Sequence, residues 1–276
     1  MTISLRPFDM KTRESHSIHL DDSKIPILIS IPHSGLFIPQ EVEKLIEDDQ
    51  LAAKDDTDFD VDLLYSFAKD LGLSTIKANY NRWFIDLNRQ KEDQALYNDG
   101  RNTTSLFPTK DFYQRNIYKD PAHQISRSEM KIRLNKVYKP YYNQITDILH
   151  SFVNEHGVAI LWDAHSIRRQ VSSIQQTPFK DLILGTNDHL SASQEIIHCV
   201  EHCILKSRFS YSLNSPFKGG NITRHFGQPK NKIHALQLEM SKDCYLNTDQ
   251  KYDSQKARPM IELLSEIFES LIKLIS

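Results

Sequence analysis

The fold of this chain is decided by two similar stretches, ILISIPHSG at residues 27–35 and VAILWDAHS at residues 158–166. Each is a short apolar run that ends on a histidine, His33 in the first and His165 in the second. Continuous apolar runs of this length are typical of strands buried on both faces, and the carboxyl ends of parallel strands meet at one edge of a sheet. We therefore expect the two imidazoles to lie near each other at that edge, where histidine is a frequent metal ligand.

The rest of the chain alternates predicted strands with predicted helices. Further strands are expected at residues 74–78, 83–87, 181–184 and 233–239, and helices at 39–46, 59–71, 127–156, 193–205 and 259–275. Asp58 would be the N-cap of the helix at 59–71, and Pro140 would interrupt the helix at 127–156. Residues 90–120 lack periodicity and predict a long loop. This alternation predicts an α/β fold, with a mostly parallel sheet covered by helices on both faces.

The composition is that of an ordinary soluble globular protein. The chain has 276 residues, 39% of them hydrophobic and 25% charged, and we expect a single domain over residues 1–276. A net charge of −2 argues against nucleic acid and anionic membrane as partners. No apolar stretch approaches the roughly 20 residues that span a bilayer. Three cysteines, an odd number, and the lack of a signal-like opening segment predict a reducing, cytoplasmic location.

A third metal ligand is expected from the acidic cluster at residues 55–58. Zinc in a hydrolase takes two or three nitrogen and carboxylate ligands and keeps a position for water. Asp58 is our choice of ligand because it would cap the following helix, and Asp56 is the alternative ligand or a partner that orients one. A His/Asp/His set suits zinc but also admits cobalt, manganese or iron, so the prediction is one divalent metal.

A catalytic base is predicted at Glu239, which ends the apolar strand at 233–239. Hydrolysis of an amide at a metal site needs a base that takes a proton from water and passes it to the leaving nitrogen. Burial at the end of an apolar strand would raise the pKa of this carboxyl group into a useful range. A structural ion pair between Glu239 and an arginine is the alternative. Asp163, on the same strand face as His165, is expected to orient that imidazole.

Arginines near these stretches indicate an acidic substrate. Arg82 and Arg89 flank the segment at 83–87, and Arg224 follows the glycine pair at 219–220. A planar guanidinium group binds a carboxylate through two hydrogen bonds, so a pocket with two or three arginines favours a small acid.

In these stretches the chain resembles the N-formylglutamate amidohydrolase family. The similar segments run in order over about residues 26–247 and are IPHSG (31–35), DTD (56–58), IDLNR (85–89), LWDAHS (161–166), LGTND (184–188), FKGG (217–220), ITRH (222–225) and LQLE (236–239). So many separated matches over nearly the whole chain make the resemblance specific.

The resemblance implies a three-layer α/β/α fold like that of zinc carboxypeptidases and one divalent metal. It also implies hydrolysis of N-formyl-L-glutamate to L-glutamate and formate, a last step of histidine degradation. The segment at 86–89 is similar to the substrate-carboxylate segment of aspartoacylase and succinylglutamate desuccinylase enzymes as well. That similarity implies Asn88 and Arg89 as clamps for the substrate carboxylates, and Arg82 as the group that polarises the scissile carbonyl.

These inferences combine into the prediction of a metal-dependent amidase that acts on a small acidic N-acyl amino acid. The metal ligands would be His33, Asp58 and His165, the base Glu239, and the groups for the substrate carboxylates and the oxyanion Arg82, Asn88, Arg89 and Arg224. The alternative function is another N-acyl amino acid deacylase of the aspartoacylase or succinylglutamate desuccinylase type, because the arginines indicate the acid but not the acyl group. A binding protein without catalysis would lack a ligand or the base, and none is missing. The sequence does not indicate an oligomeric state.

Overall fold

The computed structural model describes residues 13–22, 25–92 and 104–276. Within these ranges seven strands form one sheet: β1 (His16–His19), β2 (Ile27–Ile31), β3 (Ser74–Ala78), β4 (Ala159–Ile167), β5 (Leu182–Gly185), β6 (Tyr211–Leu213) and β7 (Ile233–Ser241). Their order across the sheet is β1-β3-β2-β4-β7-β5-β6. The pairings of β1 with β3 and of β5 with β7 are antiparallel, and the other four are parallel. The predicted α/β fold with a mostly parallel sheet is confirmed.

The helices connect these strands and cover the sheet. They are α1 (Gln40–Glu43), α2 (Asp48–Ala53), α3 (Val61–Leu64), α4 (Arg127–Arg133), α5 (Lys139–His156), α6 (Gln194–Lys206), α7 (Asn221–Phe226) and α8 (Ser254–Ile275). Short 3₁₀ turns lie at Ser66–Ala68, Pro229–Asn231 and Lys242–Cys244. None of the described helices has both the length and the apolar composition that crossing a bilayer requires.

Among the described residues, the two largest hydrophobic cores lie on opposite faces of the sheet, because successive side chains of a strand point to opposite sides. On β4, Ile160 and Trp162 join the core under α3, α6 and α8, whereas Ala159 and Leu161 join the core under α5. All four side chains are fully buried. The continuous apolar runs of the sequence are thus explained by helices on both faces.

On the face that carries the second core, the side chains change from apolar to polar toward the carboxyl ends of β4 and β7. On β4 the apolar series of Ala159 and Leu161 continues as Asp163 and His165. The neighbouring strand β7 makes the same change at the directly paired positions, from Ile233 and Ala235 to Gln237 and Glu239. Polar side chains from adjacent strands therefore meet at the edge of the sheet where the second core ends.

The helix predicted at residues 59–71 is wrong in its start and its length. Asp58 is not an N-cap: the short helix α3 begins at Val61 after Asp60, whose φ of 57° is left-handed. A separate 3₁₀ turn at Ser66–Ala68 follows. The carboxylate of Asp58 is directed at the histidine side chains, with Oδ2 3.2 Å from Nδ1 of His165, and it does not cap the helix.

The extended segment predicted at residues 83–87 is also wrong, because these residues form turns. Asn81 starts them: its side-chain Oδ1 accepts a hydrogen bond from the backbone of Trp83 at 3.0 Å, and its carbonyl accepts one from Phe84 at 2.9 Å. An asparagine side chain that binds the backbone two residues later favours a turn over a strand.

The remaining expectations are mostly met within a few residues. The helix predicted at 127–156 is confirmed as α4 and α5, joined by a π-helical segment at Leu134–Tyr138, and it ends at Gly157 with a φ of 75°. The closing helix α8 starts five residues before Pro259, because Asp253 caps it. Of the loop predicted at 90–120, residues 93–103 lie outside the described part, and the described remainder contains no helix. Cys199 and Cys203 belong to the first core, and all three cysteines are unpaired.

Truncating the core under α8 should destabilise the protein. Leu264 is fully buried, and Leu264→Ala is expected to lower the free energy of unfolding by about 2–5 kcal/mol, because it removes buried methyl groups and leaves a cavity. Leu205→Ala is the matched control, since this leucine of α6 is 71% exposed and its loss should change stability by no more than about 0.5 kcal/mol. Urea unfolding monitored by circular dichroism measures both; equal losses would contradict the assignment of the core.

Candidate functional site

The two predicted histidines lie together at the carboxyl ends of β2 and β4. His33 follows β2 after one intervening residue, and His165 is the seventh residue of β4. Their ring centroids are 4.8 Å apart, and each residue is only 2% exposed. The parallel pairing of β2 with β4 brings them together, as the sequence predicts.

Asp58 completes a three-residue cluster with these histidines. Its Oδ2 lies 3.2 Å from Nδ1 of His165 and 3.7 Å from Nδ1 of His33, and one ligand atom from each residue falls within 4.8 Å of the others. Among the described residues, neither Nδ1 of His33 nor Oδ1 of Asp58 has a hydrogen-bond partner, although both atoms are buried. Unsatisfied buried polar atoms are costly, so these two atoms fit a site that a cation would complete.

The structure brings Asp58, and not Asp56, to the histidines. Both oxygens of Asp56 have other partners: Oδ2 accepts from Nε1 of Trp83 at 3.0 Å, and Oδ1 accepts from the backbone of Phe112 at 3.1 Å. Asp56 thus anchors neighbouring loops, while Asp58 faces the cluster. Backbone contact reinforces this arrangement, because the amide of Asp58 donates to the carbonyl of His33 at 3.1 Å.

A carboxylate stands behind each imidazole. Nε2 of His33 donates to Oδ1 of Asp86 at 2.8 Å, and Nε2 of His165 lies 3.0 Å from Oδ2 of Asp163. A carboxylate only accepts hydrogen bonds, so each one holds a proton on the Nε2 atom that faces it, and Nδ1 is the atom that a metal would bind. Both Nδ1 atoms point to the space beside Asp58. This is the arrangement by which partner carboxylates orient histidine ligands of metals.

Electrostatics within the cluster favours an ionised carboxylate next to basic imidazoles. Burial by itself raises the pKa of Asp58, but the hydrogen bond from His165 and the nearby His33 outweigh it and lower the pKa. Burial alone lowers the pKa of His165, yet the carboxylate of Asp163 raises it well above its usual value. The concentration of negative charge at Asp58, Asp86 and Asp163 suits a site for a cation.

Glu239 lies directly beside His165, since the two residues are paired across β4 and β7. Its Oε1 accepts a hydrogen bond from Nε2 of Gln237 at 3.1 Å. Burial raises the pKa of Glu239 to about 7, against the opposing effect of the positive charge on His165. A carboxyl group with such a pKa can both take up and release a proton near neutral pH.

Arg82 is a buried cation on the other side of the cluster. Its Nη2 donates to Oδ2 of Asp86 at 2.7 Å, and Nη1 donates to the carbonyl of Asp56 at 3.3 Å. Its guanidinium group also lies over the ring of Phe112, 4.7 Å from the centroid. Asp86 thus connects Arg82 with His33, and these contacts hold the guanidinium group in place beside the cluster.

Asn88 lies behind the imidazole of His165. Its Nδ2 is 3.2 Å from Oδ2 of Asp163 and 3.3 Å from Oε1 of Gln237, while its Oδ1 accepts from the backbone of Ile222 at 2.8 Å. A side chain at Gly220 would overlap this amide group, so glycine is required for the close approach. Asn88 therefore joins the start of α7 to the polar ends of β4 and β7.

Arg89 and Arg224 donate hydrogen bonds to groups of neighbouring loops. Arg89 donates through Nε and Nη2 to the carbonyl and hydroxyl of Thr104, each at 2.7 Å. Arg224, on α7, is partly buried, and its Nε donates to the carbonyl of Gly219 at 2.8 Å.

Two residues of this site were not assigned these roles from the sequence. The sequence indicates Asp86 only as part of a segment for substrate carboxylates, whereas in the structure it holds His33 and Arg82. Gln237 accepts from the backbone of Gly220 at 2.7 Å and from Asn88. Gln237 stands two residues before Glu239 and so shares its strand face, which is the one signal in the sequence that could have indicated it.

Comparison with other proteins shows relatives of this chain over most of its length. The family model for N-formylglutamate amidohydrolase matches residues 25–246. A protein named N-formylglutamate deformylase from Pseudomonas aeruginosa is 36% identical over 253 residues, which cover 90% of this chain and 93% of that protein. A protein of the same name from Pseudomonas putida is 34% identical over the same shares.

Solved structures show the same fold. The crystal structure of N-formylglutamate amidohydrolase from Ralstonia eutropha superposes with a TM-score of 0.82 at 19% identity, over 95% of this chain and 99% of that one. A gene product of Agrobacterium tumefaciens superposes with a TM-score of 0.72 at 13% identity, over 96% and 97%. The match of the family model and the identity to the Pseudomonas proteins establish that this chain belongs to the N-formylglutamate amidohydrolase family.

Proposed function

We propose that this protein is a metal-dependent deformylase that hydrolyses N-formyl-L-glutamate to L-glutamate and formate. The observation that carries the proposal is the buried cluster of His33, Asp58 and His165 with Glu239 paired beside His165. The chain also belongs to a family whose members from two Pseudomonas species are named for this reaction.

The proposed cofactor is one divalent metal ion, with zinc as the first choice. His33 and His165 would bind it through Nδ1 and Asp58 through its carboxylate, a donor set that suits zinc. The unpaired Nδ1 of His33 and Oδ1 of Asp58 support this assignment. A zinc ion held there acts as a Lewis acid and lowers the pKa of water.

Glu239 is the proposed general base and acid. Its carboxylate takes a proton from the water whose oxygen forms the new bond to the formyl carbon. The same proton then passes to the glutamate nitrogen as the carbon–nitrogen bond breaks, and Glu239 is again ionised. The second proton of the water passes from formic acid to the released amine or to solvent, so that formate and glutamate leave. No covalent bond to the protein is needed. Arg82 would stabilise the negative charge that develops on the formyl oxygen.

The substrate carboxylates are the proposed partners of Asn88, Arg89 and Arg224. Arg224 lies on α7, whose start is joined to the ends of β4 and β7 through Asn88, so a substrate bound at the cluster would lie near it. Arg89 is linked through Asp86 to the histidine side of the cluster, since its Nη1 is 3.8 Å from Oδ2 of Asp86.

The proposed function also includes a domain organisation, a fold relationship, a location and a metabolic role. We propose one catalytic domain over residues 1–276, a fold related to that of zinc carboxypeptidases, a cytoplasmic location and a role in histidine degradation. The two-faced sheet with its site at the strand ends supports the fold relationship.

The function is tested by measuring formate and amine release from a panel of N-acyl amino acids. N-formyl-L-glutamate should be the preferred substrate over N-acetyl- and N-succinyl-L-glutamate. Treatment with a chelator should abolish turnover, and zinc or cobalt should restore it, because the metal supplies the Lewis acid. Preference for a succinyl or acetyl group would favour the alternative deacylase, and turnover that resists complete metal removal would contradict the metal site.

Replacing the proposed base should remove catalysis but not the metal. Glu239→Gln keeps the size of the side chain and cannot take up a proton, so kcat should fall about 10²- to 10⁴-fold. Zinc content, measured by atomic emission, should stay at the wild-type level because Glu239 is not a ligand. Glu262→Gln, an exposed position on α8, is the matched control and should leave kcat unchanged. A Glu239→Gln enzyme with near wild-type kcat would exclude this residue as the base.

Removal of a substrate-binding arginine should act mainly on KM. Arg224→Gln is expected to lower kcat/KM for N-formyl-L-glutamate about 10- to 100-fold, the size of a lost hydrogen bond between charged groups. The loss should be smaller for N-formyl-L-glutamine, whose side chain is neutral. Arg258→Gln on the outer face of α8 serves as the control. Equal losses for both substrates would show that Arg224 does not bind the side-chain carboxylate.

A further inference from the structure

Lys242 is a buried lysine that none of the roles above uses. It is the residue that follows β7, and it begins the 3₁₀ turn at Lys242–Cys244. Only 3% of its surface is exposed. Lysine is almost never buried to this degree unless its ammonium group is paired or hydrogen-bonded, so the surroundings of Nζ indicate what the residue does.

The ammonium group binds the loop that carries Asp58. Nζ donates to the carbonyl of Asp55 at 3.0 Å and to the carbonyl of Thr57 at 2.6 Å. It also lies 5.7 Å from the centroid of the Phe59 ring. Lys242 therefore contacts residues on both sides of Asp58, and it holds two backbone carbonyl groups of this loop.

Other contacts hold the same loop from different sides. The hydroxyl of Thr57 accepts from Nδ2 of Asn81 at 2.8 Å, and Asp55 forms ion pairs with Arg115 and Arg168. Lys242 differs from these because it comes from β7, only three residues after Glu239. It thus connects the strand that carries the proposed base directly to the loop that carries the proposed carboxylate ligand.

We propose that Lys242 is a positioning residue, which holds Asp58 in place for the metal and sets its position relative to Glu239. The proposal rests on the metal site of the proposed function. The ammonium group acts through the carbonyls of Asp55 and Thr57, and it touches neither substrate nor metal. Without these two hydrogen bonds, the loop would relax and the carboxylate of Asp58 would leave the geometry that it shares with the histidines.

The sign of the change in metal affinity separates positioning from simple electrostatics. Lys242 carries a positive charge near Asp58, and that charge repels a divalent cation. If charge were its main effect, the neutral variant Lys242→Met would bind metal more tightly. If positioning is its main effect, the same variant should bind metal more weakly, by about the 10- to 100-fold that loss of an orienting contact costs.

The experiment is a zinc titration of the metal-free protein in competition with a chromophoric chelator, at a temperature well below unfolding. Wild type, Lys242→Met and the control Lys256→Met are compared. Lys256 also donates to a carbonyl, that of Leu246 at 3.2 Å, but it is exposed at the start of α8. The visible spectrum of each cobalt-substituted protein reports the geometry at the metal.

We expect weaker zinc binding and an altered cobalt spectrum in Lys242→Met, with wild-type values for Lys256→Met. A residue that only stabilised the fold would lower the melting temperature and leave both readouts unchanged, and this result would overturn the proposal, as would tighter zinc binding. If Lys242→Met does not unfold cooperatively, Lys242→Gln replaces it. Gln keeps two N–H donors, but its side chain is shorter than that of Lys and cannot reach both carbonyls. The zinc affinity of this variant should therefore be weakened, and a wild-type value would overturn the proposal. Failure of the wild type to bind zinc would instead refute the metal site itself.

Discussion

The pairing of β4 with β7 is the interaction on which the rest of the site depends. Nine residue pairs run in parallel register from Ala159 and Ile233 to Ile167 and Ser241. This register places His165 next to Glu239 and Asp163 next to Gln237. A shift of one residue would turn these side chains to the opposite face and bring apolar ones to the edge. The change from apolar to polar side chains on one face fixes the register, since a shift would turn Gln237 and Glu239 into the first core.

Around this pair of strands, the inner atoms of the cluster face a site for a cation, and the outer atoms bind other groups of the protein. The inner atoms, Nδ1 of His33 and the oxygens of Asp58, are directed at one small space, while the atoms behind them are satisfied by the protein. Asp86 is one of these outer groups, because its carboxylate accepts hydrogen bonds from His33 and from Arg82. Burial of so many charged groups is tolerable only because each has a partner of opposite charge or a hydrogen bond.

Local patterns predicted the strands well and the connections poorly. Continuous runs such as residues 27–31 and 159–167 were recognisable because burial on both faces leaves few polar positions in them, namely Ser30 in the first and Asp163, His165 and Ser166 at the end of the second. The helix expected after Asp58 failed because its capping carboxylate has histidine partners from two distant strands, and a helical pattern does not reveal such competition. The segment at 83–87 failed for a local reason, since the side chain of Asn81 takes the backbone into a turn.

The sequence alone does not decide between Asp56 and Asp58 as the carboxylate that faces the histidines. The order of residues was enough to predict the α/β class, two strand-end histidines, a carboxylate from the cluster at 55–58 and Glu239 on a neighbouring strand. These features follow from periodicity, which is local. The folded structure decides which carboxylate faces the histidines. Trp83 and Phe112 donate hydrogen bonds to both oxygens of Asp56, and Lys242, which follows β7, binds the loop that carries Asp58. Those contacts join residues far apart in the chain, so only the folded arrangement decides them.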